Sequence, residues 1–171
     1  MARITRTALR RQFRSLEKST DPARRGYALQ RLVLQLLQFE GADASGGFRP
    51  RGEEIDGFFS TDHRFFHFEC KWEAAEIPAS AIYSFRGKFE GKLLGTMGVF
   101  VSMSGFSPNV AEVLRYGKTI DVVLFNADDL RYALSSKNTF TNILRIKLRR
   151  AAQYGEPYYP FQTYLDEQRD W

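Results

Sequence analysis

The residues best suited to chemistry in this chain are two carboxylates and a lysine: Asp56, Glu69 and Lys71. Residues Arg64 to Trp72 read as a β-strand whose alternation puts Phe66, Phe68, Cys70 and Trp72 on one face. His67, Glu69 and Lys71 fall on the other, so a carboxylate and an ammonium share a face. Asp56 lies in the preceding strand, Glu53 to Phe59. Ser60 to His63 form the connection, and the two strands can pair as an antiparallel hairpin. Carboxylates facing each other across paired strands repel unless something positive sits between them. A divalent cation is the natural occupant. An open Asp plus Glu pair suits Mg²⁺, which keeps several waters and takes substrate phosphate oxygens, better than it suits zinc. Lys71, beside Glu69, is placed to orient or help deprotonate a water, or to stabilise charge building on a phosphate. The plainer reading is an exposed Glu69–Lys71 ion pair and a turn hydrogen bond at Asp56. Glu-x-Lys alone is a weak pattern. It gains weight because its strand is otherwise strongly apolar and Ile55-Asp56-Gly57 precedes it by one hairpin.

Several other chemistries are excluded. Gly87 to Lys92 is not a phosphate loop, because its glycines are too close together and Leu93 stands where Ser or Thr would meet Mg²⁺. There is no G-x-S-x-G elbow and no H-E-x-x-H. With only His63 and His67, a histidine-based hydrolase is poorly supported, and His67 reads as a strand-face hydrogen-bonding residue. Cys70 faces the apolar side of its strand and reads as core. A single cysteine excludes an internal disulfide framework, and two His plus one Cys make no ordinary structural zinc site. The expected location is the cytoplasm.

The elements that must position these residues follow from periodicity. Ala8, Leu9, Phe13 and Leu16 recur at helical spacing among Arg6, Arg10, Arg11, Arg14 and Lys18, which predicts a basic amphipathic helix rather than a targeting signal. Asp21 and Pro22 offer a cap and first-turn proline for a second helix, with Leu29, Leu32, Val33, Leu36 and Leu37 as its apolar face, ending near Gly41. Gly46 and Gly47 mark a turn or flexible loop. After the hairpin come a helix from Pro78 to about Leu94, a strand from Gly98 to Ser102 and a helix begun by Ser107-Pro108. A strand from Ile120 to Phe125, a helix capped by Asp128 or Asp129, and a helix from about Phe140 to Ala152 follow. The aromatic tail, Tyr154 to Trp171, lacks a clear period and is expected to pack back on the domain or on a partner chain. This order predicts an α/β layered domain.

With 171 residues, 43% of them hydrophobic, the chain suffices for one core and is too short for two ordinary domains with a linker. The expectation is one domain over 1–171, with a basic N-terminal helix in 1–22, a core in 24–134, and a basic helix and aromatic tail in 138–171. No run approaches the ~18 apolar residues of a membrane helix, so no membrane partner is expected. The net charge of +5 is unevenly spread. Residues 1–25 hold eight Lys/Arg against two acids, and 137–153 hold five against none, while the centre is slightly acidic. Two flanking basic helices are thus placed to clamp a polyanion from either side.

Taken together, Arg25-Gly26-Tyr27 opening an amphipathic helix, Glu54-Ile55-Asp56-Gly57, Phe68-Glu69-Cys70-Lys71-Trp72, and the stretch from Gly98 to Ser107 resemble the PD-(D/E)xK nuclease superfamily, specifically its Mrr-like restriction endonuclease branch. The resemblance covers roughly residues 24 to 134. It implies a restriction-endonuclease-like three-layer α/β/α core with a mixed central sheet, and Mg²⁺-dependent hydrolysis of DNA phosphodiesters, with Mn²⁺ as a substitute metal. Carried onto this chain, Asp56, Glu69 and the main-chain carbonyl of Cys70 would ligate the metal, and Lys71 would be the catalytic lysine. Many relatives carry a glutamate in the first core helix. Gln30 stands in that context here, which weakens any second metal but still allows a hydrogen bond to water. Arg6, Arg10 and Arg14 on the first helix, Lys88 after the hairpin, and Ser102 and Ser104 at the end of the next strand would contact DNA phosphates. Lys88, Ser102 and Ser104 equally fit a solvated helix face and a loop.

The resemblance also suggests restriction or defence against foreign DNA, with a homodimer or a partner protein supplying a second site or regulation. Two alternatives stand beside it. One is a structure-specific resolvase of junction DNA, and the other is a non-catalytic DNA-binding or assembly subunit whose nuclease site has degenerated, as Gln30 would allow.

Overall fold

The computed structural model describes residues 4–48, 54–116, 119–135 and 137–169. The first helix, α1 (Arg6–Glu17), starts where the Thr5 hydroxyl accepts from Ala8 N at 3.2 Å, and it buries Leu9, Phe13 and Leu16. α2 (Pro22–Phe39) is capped by Asp21, which accepts from Arg24 N at 3.1 Å, and it buries the five aliphatics its spacing predicted. The glycine pair read as a loop is instead β1 (Asp43–Phe48), an edge strand pairing antiparallel with β2 (Ile55–Thr61). Its composition, Asp-Ala-Ser-Gly-Gly-Phe, carries no strand signal. Backbone pairing with β2 recruits it to the sheet, helped by Gln38 of α2, which donates to the Ala44 carbonyl at 3.0 Å.

β2 and β3 (Arg64–Lys71) form the expected hairpin, with a tighter connection than the sequence suggested. Only Asp62 and His63 turn, both in the left-handed region at φ 50 and 60, as a two-residue hairpin loop requires. α3 (Ala79–Gly87) stops well short of Leu94, ahead of Gly91 and Gly95. There follow β4 (Met97–Ser102), α4 (Val110–Arg115), β5 (Val122–Phe125), α5 (Ala127–Ala133), α6 (Phe140–Tyr154) and α7 (Phe161–Glu167). The cap of α5 is Asn126 rather than Asp128 or Asp129. Its side chain accepts from Asp129 N while Asp129 accepts from Asn126 N, both at 2.9 Å, which makes a capping box.

The sheet runs β1-β2-β3-β4-β5, antiparallel across its first three strands and parallel across the last three, so β3 is the seam. One face packs Phe59, Phe66, Phe68, Val99, Val101 and Phe125 against α1, α2, α5 and α6. The other packs Phe100, Val122 and Leu124 against Ile82 and Phe85 of α3 and Val110 of α4. This is the three-layer α/β/α core with a mixed sheet that the resemblance implied. No helix among the described residues is long and apolar enough to cross a membrane.

The aromatic tail packs back on its own chain. Asp129 accepts from Phe161 N at 2.7 Å and pairs with Lys147 at 2.7 Å, both side chains being 1% exposed. Lys147 also donates to the Tyr159 carbonyl and lies 4.9 Å from the centre of the Phe125 ring. Burial pushes its ammonium pKa down, against the pull of Asp129.

Candidate active site

A cavity of about 620 Å³ opens where β2 begins and β3 ends, beside the first turns of α2. Asp56, Glu69, Cys70, Lys71, Gln30 and Lys88 all line it. The hairpin register explains the first three. Gly57 pairs with Phe68, and the Phe68 ring lies so close that a Cβ on Gly57 would meet it at 2.1 Å, so only glycine fits. One residue further on, the side chain of Asp56 continues the ladder in place of its backbone, its Oδ2 accepting from Cys70 N at 2.9 Å. Burial raises the Asp56 pKa above the ordinary carboxylate value, the Cys70 N–H opposes that rise, and the negative charge of Glu69 adds to it.

Glu69 is 5% exposed and holds two ammonium groups. Lys71 Nζ lies 3.4 Å from Oε1, and Lys88 donates to Oε2. Lys71 is 40% exposed, so it faces the open cavity while anchored at the strand end. Lys88 arrives from the C-cap of α3, 19 positions away in sequence, because α3 sits unusually close to β4: a Cβ on Gly98 would strike Phe85 at 2.6 Å and Phe89 at 2.8 Å. Cys70 is buried on the apolar face, and burial lifts its thiol pKa well above normal, which fits a core residue rather than a nucleophile. His67 is stacked on Phe89, and burial pushes its pKa down.

Glu54 also lines the cavity, whereas Glu53 lies outside the described residues. No three His, Cys, Asp or Glu side chains gather into a metal-binding group among the described residues. The carboxylates on this open cavity are Glu54, Asp56, Glu69 and Glu73, all hard oxygen donors, and Asp56 and Glu69 come from the paired strands β2 and β3. Such hard, few-ligand sites fit Mg²⁺ and would leave a zinc ion under-coordinated.

The residues expected to contact phosphate separate. Arg10 and Arg14 are exposed on α1. Arg6 turns inward, donating to the carbonyls of Ala133, Ser135 and Asn138 at 2.5, 2.9 and 3.0 Å, with Glu40 at 3.7 Å. Its guanidinium satisfies the C-terminal carbonyls around α5 and is not presented to a ligand. Ser102 is fully buried and donates to the Gly105 carbonyl at 2.8 Å, with Ser104 3.3 Å away, so this pair shapes the loop after β4.

Sequence reasoning passed over Arg25, Tyr27 and Trp72 as site residues, although all three line the cavity. The Arg25 guanidinium lies 5.3 Å from the Trp72 ring centre, and Tyr27 is 67% exposed at the rim. The signal was present in the Arg25-Gly26-Tyr27 stretch, but nothing in one sequence linked it to the end of β3.

Comparison with known proteins bears on the fold and the family. No curated protein matches the chain. Among solved structures, the small subunit of the heterodimeric restriction endonuclease R.BspD6I is similar, with a TM-score of 0.57 at 12% identity over 86% of this chain and 89% of that one. A protein of unknown function, AF1548, has a TM-score of 0.50 at 18% identity, over 71% of this chain and 66% of that one. At such identities these likenesses establish the fold alone. The family model Mrr_cat, described as restriction endonuclease, matches residues 23–134, which hold the whole of the hairpin, Gln30 and Lys88. With that match spanning well over half of its length, the chain belongs to the Mrr-type restriction endonuclease family.

Proposed function

We propose that this chain is a metal-dependent endonuclease that hydrolyses DNA phosphodiester bonds, acting in restriction or defence against foreign DNA. The observation that carries the reading is the convergence of Asp56, Glu69 and Lys71, with Gln30 and Lys88, on one open cavity. Asp56 and Glu69, with the Cys70 carbonyl, would hold Mg²⁺ or Mn²⁺. When bound, the cation supplies charge to a phosphate oxygen and lowers the cost of ionising a water. Lys71 keeps its ammonium at the mouth of the cavity, where negative charge accumulates on the phosphorus oxygens during attack, and Glu69 restrains it there. Lys88 adds a second positive charge from the α3 side. The Gln30 carboxamide, on the α2 wall, can accept a hydrogen bond from the attacking water and orient it. The thiol of Cys70 takes no part.

One such site cuts one strand. Double-strand cleavage therefore needs a second site, from a second copy of this chain or a partner protein, and the similar R.BspD6I chain is itself a subunit of a heterodimer. The test is cleavage of supercoiled and linear duplex DNA with Mg²⁺ or Mn²⁺ by the wild type, Asp56→Asn and Lys71→Ala. Asp56→Asn keeps an acceptor for Cys70 N while removing the charge. Both variants are expected to lose at least ~100-fold in rate, in line with loss of a charged catalytic group. Undiminished cleavage by both refutes the assignment. A wild type inert in every metal identifies a binding subunit, and preference for four-way junctions over linear duplex identifies a resolvase.

A further inference from the structure

The basic charge of the protein divides into cations that the fold uses and cations that it leaves alone. Arg6, Lys71, Arg86, Lys88, Arg131, Lys147 and Arg150 are each paired with a carboxylate. Arg10, Arg11 and Arg14 of α1, Lys18 at its C-cap, and Arg24 and Arg31 of α2 make no ion pair with any described residue. No acid precedes Glu17, and Glu17 is taken by Arg131 while Asp21 caps α2.

These six form a continuous surface. Arg10, Arg11, Arg14 and Lys18 border one depression along α1. It shares Arg11 with the groove between α1 and α2, where Arg24 and Arg31 lie, and that groove shares Tyr27 with the catalytic cavity. Arg10, Arg14 and Lys18 recur every four residues, roughly 6 Å apart along the axis. Like charges at this spacing oppose helix formation unless a counter-charge accompanies them. The track is rigidly set. Leu9, Phe13 and Leu16 bury the inner face of α1, and the Phe13 ring lies 6.2 Å from that of Trp72, the residue after Lys71.

We infer that Arg10, Arg11, Arg14 and Lys18, continued by Arg24 and Arg31, form a phosphate track that holds duplex DNA flanking the scissile bond. The inference rests on the nuclease reading for what lies in the cavity and deepens it by naming where the rest of the substrate runs. Row spacing and guanidinium chemistry match a regular polyanion, and the contact is with backbone phosphate, independent of sequence.

The test is duplex DNA binding by fluorescence anisotropy, with Ca²⁺ in place of Mg²⁺, across a salt series. Arg14→Gln/Lys18→Gln is expected to bind at least ~10-fold more weakly and to lower the slope of log affinity against log salt by about 2. The control Arg64→Gln/Lys92→Gln removes two exposed charges at the hairpin turn and in the α3–β4 connection and is expected to bind like the wild type. Wild-type affinity and slope in the track variant overturn the proposal. So does an equal loss in the control, or a loss confined to duplex RNA. Wild-type protein that binds but never cuts DNA leaves the track standing and removes the nuclease reading. Cleavage by the wild type with normal binding by the track variant removes the track alone.

Discussion

Glu40 lies beneath the start of α6, its carboxylate accepting from Phe140 N at 2.8 Å and Thr141 N at 3.0 Å, with Arg6 3.7 Å away. Burial dominates and raises its pKa above the usual 4.5, while the two N–H groups, the Thr141 hydroxyl and Arg6 oppose the rise. A raised carboxyl pKa means the native state binds more protons than the unfolded chain between the unfolded and folded values. This group's stabilisation is then complete below pH 4.5 and is lost as pH climbs through the raised value. Urea unfolding across a pH series should show wild-type stability falling relative to Glu40→Gln in that window and a constant difference above it. A difference independent of pH contradicts the assignment. The same corner shows how far single residues are legible in sequence. Arg6 and Arg10 are four apart on one helix and equivalent by spacing, yet carbonyls more than a hundred residues away claim the first and leave the second in solvent. Glu69 and Lys71 were readable because period-two alternation is local. Lys88 was not placed on Glu69 by any local rule, since its approach depends on how α3 docks.

That docking is decided by an element pair. α3 lies close to β4 because Gly98 leaves room for the Phe85 and Phe89 rings. Gly98→Val should overpack this contact, costing about 1–3 kcal/mol in urea unfolding and lowering cleavage as Lys88 is carried away from Glu69. Unchanged stability would show that the interface yields without cost. Strongly periodic elements, α1, α2, β3 and α6, were legible because burial imposes their pattern directly, and β4 because a short unbroken apolar run marks a strand buried on both faces. β1 was not, because an edge strand held by backbone pairing to β2 needs no apolar alternation and tolerates two glycines. The overlong reading of α3 has a related cause: Phe89 is buried, so the apolar pattern continues past the helix into turns that pack as it does.

Across the whole molecule the two basic ends are not equivalent. α6 was expected to mirror α1 as a clamp, yet Lys147 is fully buried on Asp129 and Arg150 is held by Glu156, with Glu167 beside it. These two charges fasten α7 and the aromatic tail to the core, while Arg145 and Arg149 stay exposed on α6 with only amide oxygens as partners among the described residues. Lys147→Met should destabilise the fold by about 3–5 kcal/mol in chemical denaturation, since it strands Asp129 as an uncompensated buried carboxylate. A loss under ~1 kcal/mol would mean that Asn126 N and Phe161 N satisfy it alone. Net charge in the sequence counted α1 and α6 alike. Only tertiary structure separates a cation that ties the chain together from one offered to a partner. Among the carboxylates, Asp56 both ties the chain together and faces the cavity. Its Oδ2 is a rung between β2 and β3, so its rotation is arrested when the hairpin closes. Any ion that engages the other oxygen meets a ligand already ordered, and the ~0.5–1.5 kcal/mol of side-chain entropy that a mobile carboxylate would surrender on binding has been lost at folding. In the proposed metal site, affinity would thereby be coupled to the integrity of the sheet, and local fraying of the hairpin would weaken cation binding before it unfolded the molecule.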